Sequence, residues 1–422
     1  MALDLTVKAL IVADDLSGAA DGAAVFAAVG MEAAVLLDPR AVPDTALDAP
    51  VDVVAVDLDS RRLPADPAAA LNAEAVRRLH APGGILVKMM DAALRGNWAA
   101  ETVAARRAAA PDGQPPPLAV VAPACPALGV ASGPAIPDPA APDPAEVAAA
   151  LRAAGMRAEA AGTDMLRGGA DSLAHALAAW IGEGVEAVAC GAATDDDLAM
   201  IAEVTAVMRD RLFWVGSVGL ARHLSAVLGL AHAPAIPGAP LPTPLDPVLA
   251  VVGSLSPMAR AQAAALAGVN GVRALTVDPV TLRIGPGTAA WGHAERDLRE
   301  ALSSGDDVLL NVGPGAAPDP HEAHDLAVAL GRLISEQAPR VGGLILTGDE
   351  TARAVLAALG VGAFRLLGEV ESGVPLGLSE GARILPLVTK GGGHGDERTL
   401  VRCRERLRAQ ALPPVPEAGT GT

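Results

Sequence analysis

The chain has 422 residues, 51% hydrophobic but only 2% aromatic and with no tyrosine, and its formal net charge is −17. This length is too great for one ordinary core and implies two domains or three, built from Ala, Val and Leu, with little scope for stacking a base on aromatic side chains. The acidic balance argues against nucleic-acid or anionic-membrane partners, so an anionic ligand must be met by a few local cations.

The first strand-like run, Ala9–Ala13, leads into IVADDLSGAADGAA (Ile11–Ala24), which places two carboxylates between a buried strand and a helix. The N-terminus carries Asp4 and Lys8 and lacks the order of a secretory signal, and no apolar run is long enough to span a bilayer; the expectation is a cytoplasmic protein. Further strands are expected at Ala33–Leu37, Val51–Asp57, Gly84–Lys88 and Leu118–Ala122. They alternate with Ala-rich helical stretches, the pattern of parallel strands joined by crossover helices. A Pro-rich patch at Ser132–Pro144 reads as a surface loop, and the denser one at Ala231–Pro247 reads as an interdomain linker. Beyond it, Val248–Gly253, Val308–Val312, Gly343–Thr347 and Ile384–Thr389 repeat the strand pattern. The fold expected is two α/β domains with mainly parallel sheets and an active site in the cleft between them. The domains would span 1–230 and 248–410, joined by 231–247 and followed by a disordered tail at 411–422.

Cys125, Cys190 and Cys403 are widely separated with no C-x-x-C spacing, which argues against a disulfide framework or a structural zinc site. His321 and His324 stand three apart on a helical stretch and read as a solvated face rather than a metal pair. No metal site is expected on the protein itself, and a homodimer is the default assembly.

Ligands of open α/β sheets bind outside the carboxyl ends of the strands. In the first half those ends carry charge: Asp14 and Asp15; Asp57, Asp59, Ser60 and Arg61; Lys88, Asp91 and Arg95. Side by side, they suit a small polyhydroxy acid, because Arg grips a carboxylate with a fork and carboxylates accept hydrogen bonds from hydroxyls. In the second half the strand ends are turns rich in Gly and Ser: VVGSLSPMARAQ (Val251–Gln262), LILTGDETARAVL (Leu344–Leu356) and LPLVTKGGGHGDE (Leu385–Glu397). Such turns let a backbone approach phosphate at a helix N-terminus. None has Walker A or G-x-G-x-x-G spacing, which also disfavours a nicotinamide-dependent oxidoreductase, and tight helix–sheet packing would explain each turn alone.

Taken in order, IVADDLSGAADGA, VDLDSR, VKMMDAALRGN, VAPACPALG, WVGSVGLA, VVGSLS, LTGDETA, GEVESGVPLG and VTKGGGHGD resemble the four-carbon acid sugar kinase family from Ile11 to Gly395. The resemblance implies an N-terminal domain that binds a sugar acid and a C-terminal domain that binds ATP with its Mg²⁺. The γ-phosphoryl group would pass to a hydroxyl of threonate, erythronate or a 3-oxo-tetronate. It implies Asp14, Asp15, Lys88 and Asp91 as the catalytic group, with Asp14 or Asp15 as base, and Asp59, Ser60, Arg61, Arg95 and Asn97 as acid-binding residues. Ser254, Ser256, Gly348, Asp349, Glu350, Thr351, Lys390, Gly391, Gly392 and Gly393 would hold the nucleotide. Ser17 would then cap the first helix and leave both carboxylates to the crevice.

The chain departs from the family pattern at several of these positions. Ala92 and Ala93 replace a Ser and a Thr, Asp349 replaces a second Gly, His394 replaces an aromatic, and Gly191 replaces an Asp. These changes keep open a second reading, a sugar-acid or nucleotide binder of the same fold that has weakened or lost turnover.

Overall fold

The computed structural model describes residues 7–38, 47, 50–81, 83–110, 113–126, 142–230, 246–313, 320–381 and 383–409. The chain divides into two compact units, the first within 1–234, 360–375 and 380–382 and the second within 235–359, 376–379 and 383–422. The strands are β1 (Ala9–Ala13), β2 (Ala33–Leu36), β3 (Val53–Asp57), β4 (Ile85–Met89), β5 (Leu118–Ala122), β6 (Ala158–Ala161), β7 (Ala187–Cys190) and β8 (Leu212–Gly216), then β9 (Val248–Val252), β10 (Val272–Val277), β11 (Asp307–Val312), β12 (Gly343–Thr347), β13 (Ala363–Glu371), β14 (Val374–Ser379) and β15 (Pro386–Lys390).

In the first unit the strands lie in the order β13-β2-β3-β1-β4-β8-β5-β7-β6. All are parallel except β13, which runs antiparallel to β2. The second unit orders its strands β10-β11-β9-β12-β15-β14, parallel apart from β14 against β15. The mainly parallel α/β architecture expected from sequence is therefore present. β1, β3, β4 and β5 are buried along their whole length, as near-continuous apolar runs of central parallel strands must be. With so few aromatics the layers close through small residues. Ala19, Ala20, Ala23 and Ala24 of helix Leu16–Ala27 are fully buried, and a Cβ on Gly22 would stand 3.0 Å from the Met89 sulfur.

Several elements escape the sequence pattern. β6, β7, β8, β10, β13 and β14 were not among the expected strands; β6 and β10 are half-exposed edges and β7 reads AVAC, so propensity alone does not separate them from the Ala-rich helices. Residues 360–375, within the stretch read as the second domain, pack in the first unit: β13 pairs Ala363 with Leu36 through Leu366 with Ala33. Arg222 reaches Glu369 at 3.2 Å there. That antiparallel pairing satisfies the outer edge of β2, a long-range demand with no local signature. Of the expected linker over 231–247, residues 231–245 lie outside the described residues, as do 132–141 of the Pro-rich patch over 132–144 and the whole expected tail at 411–422, while Pro144 opens helix Pro144–Ala153.

Candidate active site

Register brings the charged strand ends of the first unit together, because β1 pairs Ala13 with Asp57 of β3 and Val12 with Lys88 of β4. Asp14 and Asp15 follow β1, the turn Leu58–Leu63 follows β3, and Asp91 follows β4. The backbone carbonyl of Asp14 accepts from the N–H groups of Ser60 (3.0 Å) and Arg61 (3.2 Å), so the β3 turn is laced to the end of β1.

Arg61 is the centre of the cluster. Its guanidinium donates to both oxygens of Asp14 at 2.9 Å, pairs with Asp15 and lies 3.7 Å from Asp91. Burial alone would lower the Arg61 pKa; Asp15, Asp14 and Asp91 outweigh it and hold the guanidinium protonated well above its usual range. Arg95 pairs with Asp91 through Nε at 3.0 Å, and Asp91 also accepts from the Ala93 N–H at 2.8 Å. Burial pushes Asp91 up, but Arg95 and Arg61 prevail and keep it ionised below the ordinary carboxylate range.

Asp15 caps helix Leu16–Ala27, accepting from the Gly18 N–H at 2.8 Å, which corrects the assignment of the cap to Ser17. One carboxylate oxygen serves the helix and the other faces Arg61, so capping and the crevice are not alternatives. Gly96 is required by space, since its φ is +83° and a Cβ would lie 2.9 Å from Asp14 Oδ2. Asp59 and Leu94 also adopt positive φ, at 49° and 61°, a strained conformation for side-chain-bearing residues that functional turns often store.

Lys88, Ser60 and Asn97 have a different placement. Lys88 is fully buried, its ammonium 2.8 Å from Glu101 and donating to the Met89 carbonyl at 2.6 Å. Ser60 is equally buried and donates to Glu101 at 2.5 Å. Asn97 donates to the carbonyls of Leu63 (2.7 Å) and Ser60 (3.4 Å). The sequence reading did not single out Glu101. Its signal is position: helix Trp98–Ala108 buries Trp98, Glu101, Thr102 and Ala105, so a carboxylate sits on the i, i+3, i+4, i+7 stripe reserved for the core.

In the second unit β9, β12 and β15 are neighbours, and their turns meet at Ser254. Gly348, at φ +95°, would bring a Cβ within 3.4 Å of the Ser254 Cβ, and a Cβ on Gly392 would fall 2.2 Å from Ser254 Oγ. Ser256 caps helix Pro257–Ala267 and donates its hydroxyl to the Gly392 carbonyl at 2.7 Å. Thr351 packs on Gly253, where a Cβ would lie 1.9 Å from its Oγ1. Asp349 and Glu350 are half-buried in the first turn of helix Asp349–Ala358, the favourable end for a carboxylate. Lys390 is the last residue of β15, buried, and donates to the Gly391 carbonyl at 2.7 Å. Gln262, also missed, occupies the core stripe of its helix with Ala259, Ala263 and Leu266. It donates to the carbonyls of His394 (2.9 Å) and Asp396 (2.8 Å), clamping the loop that follows the glycines.

These turns fit a nucleotide: close-packed glycine backbone and the N-termini of two helices meet around Ser254, a cradle for phosphate oxygens. Among the described residues no group of three or more His, Cys, Asp or Glu is arranged to hold a metal ion; the side chain of His321 lies outside them. No helix among them is long and apolar enough to cross a membrane.

Residues 9–129 and 138–224 match the family described as Sugar-binding N-terminal domain, and 249–400 match Nucleotide-binding C-terminal domain. The chain is 41% identical to a D-threonate kinase of Cupriavidus necator, over 96% of this chain and 99% of that one. It is 34% identical to a D-threonate kinase of Bordetella bronchiseptica, over 94% and 97%. Crystal structures of a Salmonella typhimurium LT2 protein (TM-score 0.74, 22% identity, 94% and 98% covered) and a Haemophilus influenzae protein (0.68, 19%, 94% and 99%) share the fold.

Proposed function

The chain belongs to the four-carbon acid sugar kinase family, whose members phosphorylate a sugar acid with ATP, and from that premise we propose that its acceptor is D-threonate. The acid would bind at the Arg61 cluster and the nucleotide at the Ser254 turns. The observation that carries the reading is the convergence of Asp14, Asp15, Asp91, Arg61 and Arg95 at the carboxyl ends of β1, β3 and β4, the edge where α/β sheets take ligands.

Roles follow from exposure and pairing. Both Asp14 oxygens lie in the guanidinium fork and its side chain is 2% exposed, whereas that of Asp15 is 12% exposed. A carboxylate has about four lone-pair sites, so Asp15 keeps capacity to accept from a substrate hydroxyl; it is the base. The hydroxyl oxygen bonds to phosphorus as its proton passes to Asp15, and ADP departs with the bridging oxygen. Arg95, 70% exposed in its side chain, is the cation available to the acid's carboxylate. When bound, ATP supplies the γ-phosphoryl group and brings Mg²⁺, and the chain's own contribution is positioning and charge. Three buried cysteines that form no disulfide support a cytoplasmic setting.

The test is purified protein with Mg-ATP and a panel of four-carbon acids, read by ADP release and product mass. D-threonate should give a monophosphate that is lost in Asp15→Asn. Product from another acid alone would reject the assignment of substrate, and nucleotide binding with no product would favour the non-catalytic reading.

A further inference from the structure

Glu101 presents a problem that the acid site leaves unsolved. A carboxylate with no solvent exposure is costly unless fully compensated, and its compensation comes from two residues placed in the site by sequence, Lys88 at 2.8 Å and Ser60 at 2.5 Å. None of the three reaches solvent. Each arm leads to the charged cluster by one short step. Ser60 precedes Arg61, and both backbone N–H groups donate to the Asp14 carbonyl. Lys88 donates to the carbonyl of Met89, at the start of the segment that delivers Asp91. Asn97, the residue that immediately precedes the helix of Glu101, donates to the carbonyls of Ser60 and Leu63. The turns carrying Arg61 and Asp91 are thus both fastened to one buried carboxylate on helix Trp98–Ala108.

We propose that Glu101 is a positioning residue of the kinase: the buried chain Ser60–Glu101–Lys88 sets the geometry with which Arg61 and Asp91 surround Asp14 and Asp15, and Lys88 and Ser60 act through it rather than by touching the acid. This rests on the acid-site reading above. The ammonium of Lys88 is then a counter-ion to Glu101, and removing both charges together is far milder than removing either.

Three variants test it, each read by turnover and by amide hydrogen exchange in peptides spanning 57–63. Glu101→Gln should raise exchange at the Ser60 and Arg61 amides by about tenfold or more and lower kcat by a similar factor, with KM for ATP within about twofold. Lys88→Met/Glu101→Gln should bring both readouts back to within about threefold of wild type. Ser60→Ala cuts one arm without stranding a charge and should raise exchange at 57–63 on its own. Unchanged exchange in Glu101→Gln or in Ser60→Ala overturns the proposal, as does a folded double variant whose protection returns but whose turnover does not, since Lys88 would then take a direct part. If wild type phosphorylates no acid in the panel, the acid-kinase reading fails by itself, and the exchange measurements still decide whether Glu101 positions the turns.

Discussion

Replacing Arg61 with Met keeps most of the stem's packing and removes the guanidinium that three carboxylates share. That group makes two 2.9 Å hydrogen bonds to Asp14, pairs with Asp15 and stands 3.7 Å from Asp91, with its own side chain 21% exposed. A hydrogen bond to a charged group contributes about 1.5–3 kcal/mol, and stripping the partner from a buried charge costs about 3–5 kcal/mol. Partial exposure of the cluster brings the expected loss to about 2–4 kcal/mol. Urea unfolding should show that loss in the transition of the first unit. Felt fully in the transition state, it lowers kcat/KM for D-threonate by about 30- to 900-fold. Arg61→Lys, which offers a point charge in place of a fork, should recover only part. The pH dependence has a definite sign. Asp91 is depressed in the folded protein, so its stabilisation is present above the ordinary carboxylate pKa and lost as pH falls through the folded value. Without Arg61 the folded value moves back toward the ordinary one, so that acid-side loss should be smaller and be complete at a higher pH. A Met variant with an unchanged urea midpoint and kcat/KM within about threefold of wild type would refute the reasoning.

Two glycines of one turn should respond oppositely. Gly392→Ala drives a Cβ to 2.2 Å from Ser254 Oγ and 2.8 Å from Ser254 Cβ, so it should cost about 1–3 kcal/mol of stability as well as ATP affinity. A Cβ on Gly393 meets nothing within 4 Å; Gly393→Ala should leave stability level or raise it by about 0.4–1 kcal/mol while weakening ATP, and calorimetry showing undiminished ATP affinity would remove that residue from the site. In the second unit Asp307, at the start of β11, accepts from the Val248 N–H (2.8 Å), Arg404 Nε (2.6 Å) and Arg408, fastening helix Thr399–Arg408 to the sheet. Burial raises its pKa, but Arg408, the Val248 amide and Arg404 together hold it below the usual value. Asp307→Asn should therefore cost about 2–3 kcal/mol near neutral pH, with the gap from wild type closing as pH falls below about 4. A gap that stays constant through that range would count against the carboxylate's role.

Local sequence was enough to mark the charged and Gly-rich turns that the fold brings together, because strand ends in a parallel sheet are also where apolar runs stop. Asp14, Arg61 and Asp91 were legible for that reason, and so were Ser254, Gly348 and Gly392. Pairing among them was not. That Asp15 caps its helix while still facing Arg61 depends on two oxygens pointing two ways, which no spacing reveals. Lys88 reads as a charge beside the crevice, yet tertiary packing buries it on Glu101, thirteen positions further along the chain, a partner that no motif announces. The stripe of helix Trp98–Ala108 carried a clue, a carboxylate at a core position, but only a partner across the fold shows why it is tolerated.

By itself, then, the sequence determined the parallel α/β class and the order of the turns, since both follow from hydrophobic runs and turn residues that act over a few positions. Only the tertiary structure decided that β13 completes the edge of β2, that three turns close on Ser254, and that Glu101 is buried against Lys88 and Ser60. Those outcomes depend on long-range hydrogen bonds and on the cost of burying charge, and a buried charge is tolerable only where the folded chain supplies its partner.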